Sequence, residues 1–413
     1  MRILYLHQYY TTPQESGGTR SYEMALRLVR GGHEVHMITS NRCVSSRGWK
    51  VTLEDGIHVH RRGVAYSNHM SFLRRLRSFA EFAWHAGMHA AHISADVIFA
   101  SSTPLTIALP AVYAKRRLRV PMIFEVRDLW PEIPIAIGAI KNPLTIQLAK
   151  MLEHFAYRNS DHVVALSPGM KKGVVRQGYP SEQVTVIPNA ADLERFDAAP
   201  QVGQNFRAKH TWLQDRPLIL YTGTLGLING VDYLVRLAAD TYSLNPDIRF
   251  LVVGDGREKS AVEKLAKRLK VLGKNFFLHQ PVAKQNIVEI LAAADIATST
   301  VIDVPELWSN SANKAFDAFA AGRPLAINHE GWLADLIRQQ HCGLVLEPTD
   351  TKKAAEKLVR ALENPVWISE TRQAARRVAR DAFDRNKLTQ RFERLLTAIV
   401  QENKQPAPLP QAS

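Results

Sequence analysis

Phe250-Leu-Val-Val253-Gly254-Asp255-Gly256-Arg257-Glu258-Lys259 holds the pattern that decides the fold. An unbroken apolar run stops at a Gly-Asp-Gly turn, and a basic stretch of helical character follows. A strand buried on both faces has such a run, and glycine permits a tight turn at its end. The pattern recurs along the chain. Ile3–Leu6, Val35–Ile38, Val97–Ala100, Met122–Val126, Val163–Leu166 and Val184–Ile187 form one series of apolar runs. Leu218–Tyr221, Phe250–Val253, Phe276–Leu278, Ile296–Ala297, Leu325–Ile327 and Leu344–Leu346 form a second. Strands alternating with amphipathic stretches specify α/β architecture with parallel sheets and helices on both faces.

Between the two series the alternation pauses. Residues 190–215 include Asp192, Asp197, Pro200, Gly203 and Gln204 without periodicity, which reads as an interdomain linker. Two Rossmann-like halves of roughly 200 residues follow, in keeping with a length prior of about two to three domains. The end, Gln405–Ser413, is rich in Pro and Gln and reads as a frayed tail.

The chain has 413 residues, 46% hydrophobic and 22% charged, which excludes global disorder and allows a sizeable core. Cys43 and Cys342 are its only cysteines, too few for a disulfide framework or a multi-cysteine zinc site, so a reducing cytoplasm is the expected compartment. No run approaches the ~18 apolar residues of a membrane-spanning helix, and the opening Met1–His7 does not read as a signal peptide. The net charge is +14. Residues 1–200 carry 24 Lys and Arg against 16 Asp and Glu, and residues 201–413 carry 29 against 23. An excess so evenly spread argues against a nucleic-acid partner and leaves anionic small ligands or an anionic membrane leaflet.

Five motifs bear chemistry. Glu15-Ser-Gly17-Gly18-Thr19-Arg20 follows the first strand and opens the first helix; its glycines can bring backbone N–H groups to an anion, or simply make a turn. Phe124-Glu125-Val126-Arg127-Asp128-Leu129-Trp130-Pro131-Glu132 clusters charge at a strand's carboxyl end, where ligands bind in open α/β sheets. The plain alternative there is a salt bridge of Arg127 with Asp128 or Glu132. Tyr221-Thr222-Gly223-Thr224-Leu225-Gly226 and Gly254-Asp255-Gly256 suit close approach of a phosphate or sugar, or else are bare turns. In Ser309–Pro324, Lys314 near a helix start suits a diphosphate, and Asp317 one turn on suits the two hydroxyls of a ribose. The plain alternative is a surface pair of Lys314 with Asp317.

His85, His89 and His92 imitate a zinc stripe on one helix face. The outer two lie about 10 Å apart at 1.5 Å per residue, too far to share an ion, so they read as surface or partly packed histidines. Met70–Phe79 mixes aromatics with Arg74, Arg75 and Arg77, which suits either an anionic bilayer surface or a helix covering the sheet.

Together these motifs resemble the family 4 glycosyltransferases of GT-B architecture over nearly the whole chain. The resemblance rests on Ile187-Pro188-Asn189-Ala190-Ala191-Asp192 with Phe196, on Val253–Gly256, and on Asp317-Ala-Phe-Ala-Ala-Gly322-Arg323-Pro324. Phe124–Glu132 looks like the bacterial branch that builds O-antigen, capsule and exopolysaccharide, amino-deoxysugar transferases included. The resemblance implies two Rossmann-like domains facing across a cleft: residues 1–195 with a crossover helix at about 386–401 for the acceptor, residues 196–385 for the donor, and 402–413 as a tail. It implies a retaining hexosyltransferase that uses a nucleotide-sugar, most often UDP-linked, without metal or other cofactor. The acceptor would be a growing or polyprenyl-diphosphate-linked glycan at the inner face of the cytoplasmic membrane, with Phe72–Phe79 as a peripheral contact. It implies catalytic roles for Lys314, Arg127 and Asp128. It also implies donor binding by Gly17, Gly18, Gly223, Thr224, Gly254, Asp255, Gly256, Ser309, Asn313, Lys314 and Asp317, with Arg323 as a helper. Two departures stand out. Asp317 occupies the second place of the family's Glu-x7-Glu, but Ser309 stands at the first. Thr222–Gly230 also lacks the Arg and Lys that clamp the diphosphate elsewhere. Two other readings share the architecture: a nucleotide-sugar 2-epimerase, and a non-catalytic subunit that binds sugar or partner enzymes.

Overall fold

The computed structural model describes residues 1–15, 17–41, 48–66 and 70–404, without the side chain of Phe72. Cys342 is buried, and Cys43 and residues 405–413 lie outside the described residues. The chain forms two units. The first comprises Met1–Tyr10, Arg20–Ile187 and the C-terminal segment from Asn386; the second comprises Thr11–Thr19 and Pro188–Arg385.

The first unit is built on β1 (Arg2–Leu6), β2 (Glu34–Asn41), β3 (Trp49–Glu54), β4 (Ile57–Gly63), β5 (Val97–Ser101), β6 (Met122–Val126), β7 (His162–Ala165) and β8 (Val184–Val186). Their order is β3-β4-β2-β1-β5-β6-β7-β8, parallel except for the β3–β4 hairpin. The second unit is built on β9 (Leu218–Thr222), β10 (Arg249–Val253), β11 (Phe276–His279), β12 (Ile296–Ser299), β13 (Leu325–Ile327) and β14 (Gly343–Val345). Their order is β11-β10-β9-β12-β13-β14, all parallel. In each sheet the first strand lies between its successor and a later strand, so the order reverses beside β1 and beside β9. The loops leaving those two strands therefore diverge and open a ligand crevice at the sheet's carboxyl edge.

All the apolar runs read from sequence form strands. The β3–β4 hairpin was not among them, although Asp55-Gly56, at φ 50° and 84°, is the strongest short hairpin signal. The linker expected at 190–215 is corrected. These residues hold helices Leu193–Phe196 and Pro200–Ala208, and Phe196 and Phe206 enter the second unit's core. Gly203 matters there for closeness rather than flexibility, since a Cβ would stand 2.3 Å from the carbonyl oxygen of Ala292. The last helix, Arg385–Lys404, packs in the first unit: Phe392 lies 4.5 Å from Phe99, with Leu396, Ile399 and Val400 beside Ile3 and Tyr5.

The histidines of the 85–92 stretch are structural, and no group of three or more metal-binding side chains is present among the described residues. His85 Nε2 meets Arg62, and His92 Nδ1 donates to the Met88 carbonyl. His89 closes a relay that the sequence reading lacked. Glu34 Oε1 accepts from His36 Nε2 (2.9 Å), His36 Nδ1 from His60 Nε2 (3.0 Å), and His60 Nδ1 from His89 Nε2 (2.9 Å). Each imidazole needs only one proton in this arrangement. Burial and the neighbouring imidazoles push His60 down to about 4. Its depressed value fixes the sign of the pH effect. Between about pH 6.5 and 4 the unfolded chain holds a proton that the folded chain lacks, so stability is full above pH 6.5 and declines as the pH falls. We expect melting at pH 5 to occur below that at pH 7.5. His60→Gln should remove about 1–2 kcal/mol of the stability lost between pH 7.5 and pH 5, and an unchanged loss would deny the relay this role.

Candidate active site

At the carboxyl edge of the second sheet, two turns lie backbone against backbone. Gly223 N donates to Val253 O (3.0 Å), Gly254 N to His279 O (3.1 Å), and Leu225 N to Asp255 O (2.9 Å). A Cβ on Gly254 would stand 1.9 Å from Gly223 O, and one on Gly256 would stand 2.4 Å from Leu225 O. Only glycine permits this stacking, which is why both expected motifs are needed to form one wall. Thr224 is exposed, and its carbonyl accepts from the Tyr221 hydroxyl (2.8 Å). The Asp255 carboxylate faces solvent beside Lys259 (3.5 Å). Thr300 Oγ1 donates to Asn229 O (2.7 Å) and Ile302 N to Ile228 O (3.1 Å), which fixes the loop after β9 to the loop after β12.

Helix Asn313–Ala320 begins beside this wall, with Asn313 as its first residue. Lys314 Nζ rests 3.7 Å above the centre of the Tyr221 ring and 3.0 Å from where a Gly223 Cβ would be. No carboxylate pairs with Lys314 among the described residues. Removal from water pushes the half-buried ammonium down to about 7. A cation in this state binds an anion well, because the ligand supplies the missing counter-charge. The Lys314–Asp317 surface pair is not formed.

Asp317 is buried one turn further on and pairs instead with Lys284, in the turn after β11. Its Oδ1 has no partner, leaving one oxygen free to accept a hydroxyl. Lys284 also lies 5.4 Å from the Phe196 ring. Sequence reading missed Lys284 because its partner lies 33 residues away. The loop before the helix is held by Asn189, whose Nδ2 donates to Ser311 O and whose backbone N donates to Ser311 Oγ (3.4 Å). The Pro188–Asp192 motif thus braces the binding loop, and Arg385 in turn holds Asp192 (2.9 Å). Ser309 ends the turn Pro305–Ser309. Asn328, also missed, exchanges two 2.9 Å hydrogen bonds with the Val301 backbone. Arg323 turns away to donate to Ala292 O (2.7 Å).

Gly17 and Gly18 lie in the turn before helix Arg20–Arg30, where Thr11 Oγ1 donates to Gly18 O (2.8 Å). In the first unit, Arg127 pairs with neither Asp128 nor Glu132. Its Nη1 donates to His7 Nε2 (2.9 Å), so the neutral ring carries its proton on Nδ1 and donates to Ser21 Oγ (2.6 Å). Asp128 meets solvent, yet the protein around the strand end pushes its carboxyl up to about 6, with Arg127 opposing. An acid with that value is mostly ionised at neutral pH and able to take a proton.

Residues 17–190 match the family described as glycosyl transferase 4-like domain, and residues 203–382 match glycosyl transferases group 1. The chain is 24% identical over 227 residues to the alpha-D-kanosaminyltransferase of Streptomyces kanamyceticus, a match covering 54% of this chain and 56% of that protein. It is 25% identical over 228 residues to the UDP-Gal:alpha-D-GlcNAc-diphosphoundecaprenol alpha-1,3-galactosyltransferase of Escherichia coli, covering 52% and 55%. These matches thus span about half the length of either relative. The sucrose-phosphate synthase of Thermosynechococcus elongatus shares the fold, with a TM-score of 0.80 at 16% identity over 97% of this chain and 99% of that one.

Proposed function

The chain belongs to the family 4 glycosyltransferases of GT-B architecture, and on that premise we propose that it moves a sugar from a UDP-linked donor, with retention, to a lipid-linked or growing glycan of a bacterial surface polysaccharide. The observation that carries this reading is the uncompensated Lys314 ammonium set against the Gly223–Gly254 wall, with the free Asp317 oxygen one turn away. That arrangement suits a nucleoside diphosphate: Lys314 and backbone N–H groups take the phosphates, and Asp317 takes a ribose hydroxyl.

In the reaction, the bond between the anomeric carbon and the phosphate oxygen breaks, and the acceptor hydroxyl forms the new bond on the same face. The proton of that hydroxyl passes to the departing phosphate, with Asp128 as the alternative base. Charge grows on the leaving diphosphate, so Lys314 acts mainly in the transition state. Neutralisation is assigned to this lysine and the loop amides rather than to a metal. The name of the kanosaminyltransferase supports an amino-sugar donor, and that of the galactosyltransferase supports a UDP-linked donor and a diphosphate-lipid acceptor, which would be met at the cytoplasmic face of the membrane.

Saturation-transfer NMR with UDP, GDP and several UDP-sugars tests the donor half. UDP should bind selectively, and Asp317→Asn should weaken it by about tenfold, the loss of a charge-assisted hydrogen bond. Binding of no nucleotide would overturn the reading in favour of a non-catalytic subunit, with Ser309 marking a lost donor site. Conversion of UDP-sugar alone into a second UDP-sugar would favour an epimerase.

A further inference from the structure

We propose that the outer faces of helices Phe72–Ala90, Ala108–Leu118 and Pro143–Arg158 form one surface by which the first unit docks on an anionic phospholipid bilayer. This deepens the lipid-linked acceptor reading and rests on it for its purpose, but its physical case stands on the surface.

Helices that cover a sheet ordinarily turn apolar residues inward and polar residues outward. These three also present apolar residues outward. On the first, Leu73 and Trp84 are 75% and 70% exposed, and Met88 continues the same stripe one turn on. On the third, Leu144, Leu148 and Met151 are 67%, 56% and 60% exposed, at the i, i+4, i+7 spacing of a single face. Leu109 and Tyr113 supply the helix between them. The stripes adjoin. Gly87 sits against Pro110 so closely that a Cβ would be 3.3 Å from the Pro110 Cα and 3.5 Å from the Tyr113 ring. Lys115 Nζ donates to Asn159 O (2.9 Å) and Arg116 to Asn159 Oδ1 (3.1 Å), which ties the middle helix to the end of the third. Soluble proteins rarely expose so much contiguous apolar surface without a partner.

Charge selects the partner. The three helices carry eight Lys and Arg against two Glu, of which Glu153 is buried. Two copies joined through this face would set like charges against each other, whereas an anionic leaflet neutralises them while its acyl region receives Trp84 and the leucines. No helix among the described residues is long and apolar enough to cross a membrane, so the contact is interfacial.

The test is co-sedimentation of the full chain with phosphatidylglycerol-containing vesicles, with pure phosphatidylcholine vesicles, and at low and high salt. The protein should sediment with the anionic vesicles, less so in high salt. Leu144→Glu/Leu148→Glu should weaken this by about tenfold or more, and Arg74→Glu/Arg77→Glu, at two exposed positions of the first helix, should weaken it with an unchanged melting temperature. Absence of binding to anionic vesicles, undiminished binding by both variants, or a salt-stable dimer that the leucine variant dissociates would each overturn the proposal. Vesicle binding without UDP binding would keep the surface and sink the functional reading.

Discussion

Lys314→Ala should lower turnover by about 10²–10³, the size of effect seen when one preorganised charge is removed from a developing oxyanion. The charge that Lys314 meets in the transition state stays on the departed UDP, so binding of UDP itself reports the same interaction. Wild-type protein should bind UDP more tightly than uridine, and the variant should lose most of that preference. The lysine's environment adds a second readout. With its value pushed down to about 7 by removal from water, the free amine is only partly protonated at neutral pH. A bound diphosphate raises that value by supplying a counter-charge, so binding takes up a proton. UDP affinity is therefore full below about pH 7 and falls as the pH rises through the free protein's value, until the bound form's value is reached. Calorimetry in two buffers of different ionisation enthalpy should report this proton uptake at pH 7.5, and Lys314→Met should abolish it. Normal turnover in Lys314→Ala with unchanged UDP preference would remove Lys314 from the machinery.

Arg20→Met should destabilise the first unit by about 3–5 kcal/mol. Arg20 opens the first helix, and Glu125 lies on β6; both are fully buried and 2.8 Å apart. The pair is well satisfied, since Arg20 also donates to Ile187 O (3.0 Å) and Ser101 Oγ donates to Glu125 Oε2 (2.6 Å). Removing one member leaves a carboxyl in the core without its counter-charge. Arg20→Met/Glu125→Leu should regain most of the loss, because two apolar side chains avoid the desolvation cost of both ions. Urea unfolding of the wild type, Arg20→Met, Glu125→Leu and the double variant gives the cycle. A double variant as unstable as the single would show that packing around the pair, not the unpaired charge, sets the effect.

The architecture was legible because strand burial is written locally. Runs such as Ile3–Leu6 and Phe250–Val253 are apolar on both faces, and a parallel sheet under two helix layers needs that composition. The glycine turns at 223 and 254–256 and the helix start at Lys314 were legible for the same reason: backbone proximity to a neighbour or a ligand demands glycine wherever it occurs. The 190–215 stretch misled because its helices are short and stabilised by Phe196 and Phe206 entering a distant core, so local periodicity is weak.

The sequence alone determined the two α/β halves, the position of the glycine turns and the identity of the charged residues near them. Which charge meets which was decided only by tertiary structure. Arg127 turned to His7 rather than to its neighbours, and Asp317 to Lys284 rather than to Lys314. Pairing depends on the direction in which a side chain leaves its strand or helix and on burial that distant segments supply, and neither is encoded by nearness in sequence. Because Asp317 is paired with Lys284, 33 residues away, Lys314 remains without a carboxylate partner for an anionic ligand to displace.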